Sequence, residues 1–169
     1  MGTFSNGQKD GLGSLKEDDR EYLGFFSKNK RHGYGIMKDL SKGIVKKGGF
    51  NKGKLEGYGI FRCDHVSYTY KGYFLDGKLE GLGTEVSQQS TYTGEFVEGE
   101  RHGMGVSKKT EQVKYQGYWK KGVREGFGVN SSENSDVYEG EYRNDSMHGM
   151  GKYDHKNEHV LYTGQFLVN

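Results

Sequence analysis

The chain has 169 residues, a net charge of +2 with histidine neutral, and only 31% hydrophobic residues, so it lacks the aliphatic material for a deep globular core. Globular domains run about 45–50% apolar on a count that includes glycine; here 22 tyrosines and phenylalanines must do the packing that Leu, Ile and Val normally do. No apolar run approaches the ~20 residues of a membrane-spanning helix, no signal-peptide pattern opens the chain, and the small net charge says little about partners.

One ruler starts at the first residues. Gly2 is followed by Phe4, Gly7, Gly11 and Gly13; with Gly2 as position zero, these are +2, +5, +9 and +11. Position zero recurs at Gly24, Gly48, Gly72, Gly94, Gly117, Gly140 and Gly164, in steps of 22, 24, 24, 22, 23, 23 and 24 residues. Position +2 is always aromatic (Phe4, Phe26, Phe50, Phe74, Phe96, Trp119, Tyr142 and Phe166), and of the 29 glycines only Gly43 and Gly49 fall off the ruler. A near-fixed period in the low twenties marks a repeat architecture, each unit a small supersecondary element leaning on its neighbours.

Within a unit, the −2 tyrosine, the zero glycine and the +2 ring alternate with mostly polar residues, a strand signal. Residues +3 to +8 are polar and read as a hairpin loop. The tract from +9 to about +15, for example Gly103–Val106 or Gly126–Val129, returns as a second strand. Helix is excluded on energy, because each glycine costs about 1 kcal/mol relative to alanine in a helix interior. Two interior units replace the +5 glycine with Asn29 and Asp145; both types tolerate φ > 0, so +5 is a left-handed turn position. Glycine weakens a strand unless something approaches closely, so the neighbouring −2 and +2 rings are expected over the strand glycines as an aromatic ladder. The apolar +10 residues (Leu12, Tyr34, Tyr58, Leu82, Met104, Phe127, Met150) add a second stripe whose face the pattern leaves open.

In chain order, the first unit lacks the −2 tyrosine half of its strand, and Glu17–Glu21 reads as a solvated turn between hairpins. The unit from Tyr22 to Gly35 is regular apart from Asn29. The third is the exception: Lys46 stands where tyrosine is expected and Gly49 follows Gly48, which predicts weaker stacking. It lies in the most biased charge stretch, where Lys28, Lys30, Arg31, Lys38, Lys42, Lys46, Lys47, Lys52 and Lys54 face one acid, Asp39. All of these except Lys38 form a candidate patch for an anionic membrane surface or an acidic partner; the alternative is a solvated face whose lysines keep exposed strands from pairing.

The units from Tyr70, Tyr92, Tyr115 and Tyr138 are the most regular. Their rings, Tyr70, Phe74, Tyr92, Phe96, Tyr115, Trp119, Tyr138 and Tyr142, form a candidate protein-interaction face. The last unit has Tyr162, Gly164 and Phe166, then stops at Asn169 on position +5, a first strand without its second. Val160 to Val168 contains no charge and no proline. Tyr162 and Phe166 therefore mark a candidate edge for homodimer formation, unless the chain is cut from a longer array.

The whole pattern, from Gly2 to Asn169, resembles the MORN (membrane occupation and recognition nexus) repeat, whose familiar His-Gly-x-Gly ending stands at 32–35, 102–105 and 148–151. The resemblance implies an all-β fold, an elongated single-layer antiparallel sheet of tandem hairpins. It implies one domain over 1–169, with seven repeats and an incomplete terminal one. It also implies a non-catalytic module for binding another protein, in a cytoskeletal or ciliary assembly. A membrane tether and a targeting segment of a larger enzyme are the rivals.

Sequence strings that suggest chemistry have simpler readings. Gly48-x4-Gly53-Lys54 and Gly72-x4-Gly77-Lys78 match a P-loop but end in Leu55 and Leu79, without the Ser/Thr that holds magnesium or a helix to follow. His155-x-x-Glu158-His159 has the order of inverted zinc peptidases but lies in a turn rather than on a helix. His32, His102 and His148 share position +8 two strands apart, about 10 Å, too far for common metal ligation. Cys63 has His65 near it but no third partner, and cannot form an internal disulfide. A reducing cytoplasmic compartment follows from that and from the missing signal pattern, and it would leave the Asn-x-Ser matches at Asn130 and Asn144 without glycosylation. The expected protein uses no cofactor, no metal and no nucleic acid.

Overall fold

The computed structural model describes residues 2–110 and 112–167. It is all-β apart from a single 3-10 turn at Asp64–Val66, and it packs as two compact units, Met1–Gln88 and Gln89–Asn169. The first unit contains β1 (Gly2–Ser5), β2 (Gln8–Glu17), β3 (Arg20–Ser27), β4 (Lys30–Asp39), β5 (Ile44–Asn51), β6 (Lys54–Cys63), β7 (Tyr68–Leu75) and β8 (Lys78–Val86). The second contains β9 (Thr91–Val97), β10 (Glu100–Lys109), β11 (Gln112–Lys120), β12 (Val123–Ser131), β13 (Val137–Arg143), β14 (Ser146–His155) and β15 (Val160–Phe166). Within each unit the strands lie in chain order and every neighbouring pair is antiparallel.

The hairpin loop is tighter than the sequence suggested. Only positions +4 and +5 turn, and both take positive φ, as at Lys52 (49°) and Gly53 (93°) or Asn144 (47°) and Asp145 (66°). That is the two-residue type I′ connection, whose twist matches the flanking strands. The second strand therefore starts at +6 rather than +9. The reading of +5 as a left-handed position holds, with Asn29 at φ 66°. The +9 glycine sits beside a break in register instead, as between Gly24 and Phe26 in the β3–β4 pair opposite Gly33.

The zero and +11 glycines align from strand to strand. In the second unit, Gly94 pairs with Gly105, Gly105 with Gly117, Gly117 with Gly128, Gly128 with Gly140, Gly140 with Gly151 and Gly151 with Gly164. The tyrosine at −2 folds back over this row. A methyl group on Gly117 would lie 2.6 Å from Tyr115 Oη, and one on Gly24 equally close to Tyr22 Oη. Where a −2 tyrosine is present, the ring over the glycine pair is that tyrosine of the same hairpin; in the hairpin with Lys46 the neighbouring +2 ring, Phe74, approaches Gly59 instead. The tyrosine is anchored at its far end, since Tyr115 Oη donates to the Tyr118 carbonyl at 2.9 Å and Tyr138 Oη to the Glu141 carbonyl at 2.9 Å.

The +2 rings stand edge-on against these tyrosines. In the second unit Tyr92–Trp119, Trp119–Tyr115, Tyr115–Tyr142, Tyr142–Tyr138 and Tyr138–Phe166 follow one another with centroids 4.9–5.3 Å apart and planes near perpendicular. Such pairs add about 0.5–1.5 kcal/mol each beyond area burial. A single sheet face thereby makes a core without a second layer: glycines as floor, tyrosines on it, +2 rings between them.

Candidate interaction surface

The proposed aromatic interaction face is this core. Tyr70, Phe74, Tyr92, Phe96, Tyr115, Trp119, Tyr138 and Tyr142 are all 0–7% exposed. Burial raises the tyrosine hydroxyl pKa, to about 12 for Tyr70 and for Tyr115. Rings so enclosed hold the fold together and offer a partner almost no surface.

Part of the cover comes from position +7, which the sequence reading passed over. The Arg31 guanidinium lies over both Tyr22 and Phe50, Arg101 over Tyr92 and Trp119, and Arg124 over Tyr115 and Tyr142, at 4.7–5.9 Å from the ring centroids. Each cation therefore caps the tyrosine of its own hairpin and the +2 ring of the next, a cation–π contact that also shields the ring from water. Leu55 takes this role in the third hairpin and is buried. The signal was present as a basic or apolar residue seven places after each of the first seven zero glycines.

Adjacent hairpin tips are also tied. The +5 amide donates to the +7 carbonyl of the preceding hairpin, as in Gly53 to Arg31 (2.9 Å) and Gly122 to Arg101 (3.0 Å). Where +8 is acidic it accepts the next +4 amide: Glu56 from Asp76 at 3.1 Å and Glu125 from Asn144 at 3.0 Å. Asn29 and Asp145 add a side-chain acceptor for the amides of Lys9 (2.8 Å) and Arg124 (2.9 Å). Substitution of the turn glycine thus keeps φ and gains a bond.

A row of exposed apolar side chains lies on the opposite face. Strand alternation sends +1 and +10 away from the core, and the register pairs them across strands: Leu12 with Phe25, Tyr58 with Tyr73, Met104 with Tyr118. Tyr58 and Tyr73 are 61% and 53% exposed and meet edge-on at 5.7 Å. Leu23, Tyr34 and Leu82 extend the stripe in the first unit, and Phe127 and Met150 in the second. This assigns the +10 stripe to the face that the sequence left open.

The basic stretch divides: Lys28, Lys47 and Lys54 stand apart, and the other five line two adjoining clefts. Lys54 pairs with Asp76 at 2.6 Å. Lys47 is exposed and alternates away from Lys46 along β5, and Lys28 stands at a hairpin tip. Lys30, Arg31 and Lys52 line one cleft, and Arg31, Lys42 and Lys46 another. Lys46 is half-buried with its ammonium 5.8 Å from the Phe61 centroid; burial first, and Arg31 second, push its pKa below the ordinary lysine range. Asp39 is buried and accepts from Ser41 Oγ (2.9 Å), the Lys42 amide (3.1 Å) and Arg20 Nε (3.2 Å), which together hold its carboxyl below the usual range, the Ser41 bond most.

At the candidate self-association edge, β15 pairs with β14 from Val160 to Phe166. Tyr162 is 48% exposed and stacks edge-on with Phe166 at 5.2 Å. The part of that reading that concerns Val168 and Asn169 lies outside the described residues. His155 Nδ1 lies 3.4 Å from Asp136, and 156–159 form the turn to β15. No group of three or more His, Cys, Asp or Glu side chains suited to a metal occurs among the described residues.

No curated protein matches the chain. The family model described as MORN repeat matches residues 1–16, 22–39, 47–64, 70–90, 92–109, 115–136 and 138–160, each span covering one of the hairpin units described above. MORN repeats are in general non-catalytic interaction modules for proteins and membranes. The chain belongs to the MORN repeat family.

Proposed function

We propose that this protein is a non-catalytic scaffold that holds another protein against the exposed face of its hairpins, in a cytoskeletal or ciliary assembly. The observation that carries the reading is the apolar stripe of +1 and +10 side chains, centred in the first unit on Tyr58 and Tyr73. Contiguous exposed apolar surface of this kind marks interaction sites, and aromatic side chains dominate the binding energy of interfaces. The stripe is independent of the core, because its rings point away from the glycine row. The cytoskeletal or ciliary setting rests on the family resemblance alone.

The test is a paired comparison in cells. Partners crosslinked to the wild-type chain should be lost from the double variant Tyr58→Ser, Tyr73→Ser, while its circular dichroism and melting temperature stay close to wild type. An unchanged partner set with that variant would refute the reading. A tether to anionic membrane has less support, since its cations would have to reach a flat surface and Arg31 and Lys46 lie inside clefts.

A further inference from the structure

The break in the repeat at Lys46 opens a cationic trough in the first unit. A cleft of about 370 Å³ runs over Leu15, Tyr22 and Phe26, with Lys30, Arg31 and Lys52 on its walls. A second, of about 270 Å³, is lined by Ile44 and Lys46 and shares Arg20, Arg31 and Met37 with the first, so the two adjoin. Seven basic and three acidic side chains line the pair. Two of the three acids are already engaged: Asp39 by Arg20, and Glu21 by Lys16 at 3.1 Å.

Lys46 occupies the place that a tyrosine fills in six other hairpins. A tyrosine there would lie over Gly48 and Gly59; instead Leu55 and Phe74 lean toward that floor, each about 3.4–3.5 Å from the position of an added methyl. The lysine ammonium is left half-buried beside Phe61, and no acidic side chain lies within ion-pair distance of it among the described residues. Asp39, in the same cleft, offsets this only in part; a partly desolvated cation next to a second cation, Arg31, is in a field that an incoming anion would relieve.

We propose that this trough binds an acidic peptide segment of a partner protein, its carboxylates meeting Arg31 and Lys46 and its apolar side chains resting on Leu15 and Met37. The concavity selects a chain over a membrane: a bilayer surface is flat, whereas Arg31 and Lys46 sit half-buried inside the trough. The apolar floor selects a peptide over a bare anion. The inference rests on the scaffold reading but uses a different surface from the Tyr58 and Tyr73 stripe.

The experiment measures fluorescence anisotropy of a labelled peptide of repeated Glu-Glu-Leu against the full chain, with a Lys-Lys-Leu peptide and phosphatidylserine-containing vesicles as the other arms. The wild type should bind the acidic peptide and neither of the others, more weakly as salt rises. Lys46→Gln, which keeps length and removes charge, should weaken binding about tenfold, in line with loss of one charge-assisted hydrogen bond. Lys46→Tyr restores the residue of the other hairpins and should weaken it at least as much while raising the melting temperature. If Lys46→Tyr does not fold, Lys46→Gln decides. No binding of the acidic peptide, equal binding by Lys46→Gln, or preference for vesicles would overturn the proposal. Tyr58→Ser, Tyr73→Ser should keep peptide affinity. Loss of cellular partners in that variant alongside a wild type blind to the peptide would therefore sink this inference and leave the scaffold reading standing.

Discussion

Replacing Gly117 by alanine tests the packing rule on which the fold depends. The added methyl would lie 2.5 Å from Gly128 Cα, 2.6 Å from Tyr115 Oη and 2.7 Å from the Phe127 carbonyl oxygen, so the ring and the strand pair must both shift. The ring would give up the hydroxyl bond to Tyr118 at 2.9 Å and its edge contacts with Trp119 and Tyr142, both at 5.2 Å. A net hydrogen bond contributes about 1 kcal/mol, each of the two aromatic pairs about 0.5–1.5 kcal/mol, and residual overpacking costs about 1–3 kcal/mol; the expected loss is about 3–7 kcal/mol. Gly122→Ala is the control. It makes the same chemical change at φ +82°, with nothing within 4 Å, so only the left-handed backbone cost of about 1–2 kcal/mol applies. Urea unfolding followed by the fluorescence of Trp119, the single tryptophan, reads both. Adding Tyr115→Ala to Gly117→Ala should cost less than the sum of the two singles, because the ring collision is gone while the backbone contacts with Gly128 and Phe127 remain. If Gly117→Ala were no more harmful than Gly122→Ala, the ring-on-glycine account would fail.

Alkali should unfold the protein in a defined window. Tyr70 and Tyr115 have folded pKa values of about 12 against 10.0 in the open chain, so the folded state binds protons more tightly and stability falls as pH rises from about 10 to about 12; a stability flat across that range would contradict their burial. At the turn, Asp145→Val should cost about 2 kcal/mol, by forcing a β-branched residue to positive φ and losing the bond to the Arg124 amide. Asp145→Asn should cost under about 1 kcal/mol, and equal thermal shifts for the two would refute the turn geometry. If β15 mediates self-association, light scattering should report a dimer that Thr163→Pro returns to monomer; a monomeric wild type at micromolar concentration would remove that proposal.

The hairpin, its period and the left-handed +5 position were legible because each depends on local chemistry: glycine spacing, alternation, and the Asn29 and Asp145 substitutions. The loop was read too long because polar residues at +6 to +8 look like loop, whereas Arg31, Arg101 and Arg124 are strand residues folded over rings. That the regular rings are buried rather than exposed was hidden for a related reason. Aromatic side chains mark both cores and interfaces, and sequence periodicity does not tell them apart. Only the register, which sets Tyr115 on the glycine row and Tyr118 on the far side, separates them. The charge bias near Lys46 was visible, but its division between a trough, a tip and the far face needed the strand alternation of β5 and the pairing of Lys54 with Asp76.

Mild iodination of the native protein, mapped by mass spectrometry, tests the central claim most directly. Tyr34, Tyr58, Tyr73 and Tyr118, all at least 52% exposed, should be modified readily, and Tyr70, Tyr92, Tyr115 and Tyr138, at most 2% exposed, should stay protected until the chain unfolds. Ready labelling of the second set in the folded protein would contradict the assignment of the −2 tyrosines to the core and of the +1 and +10 tyrosines to the opposite face.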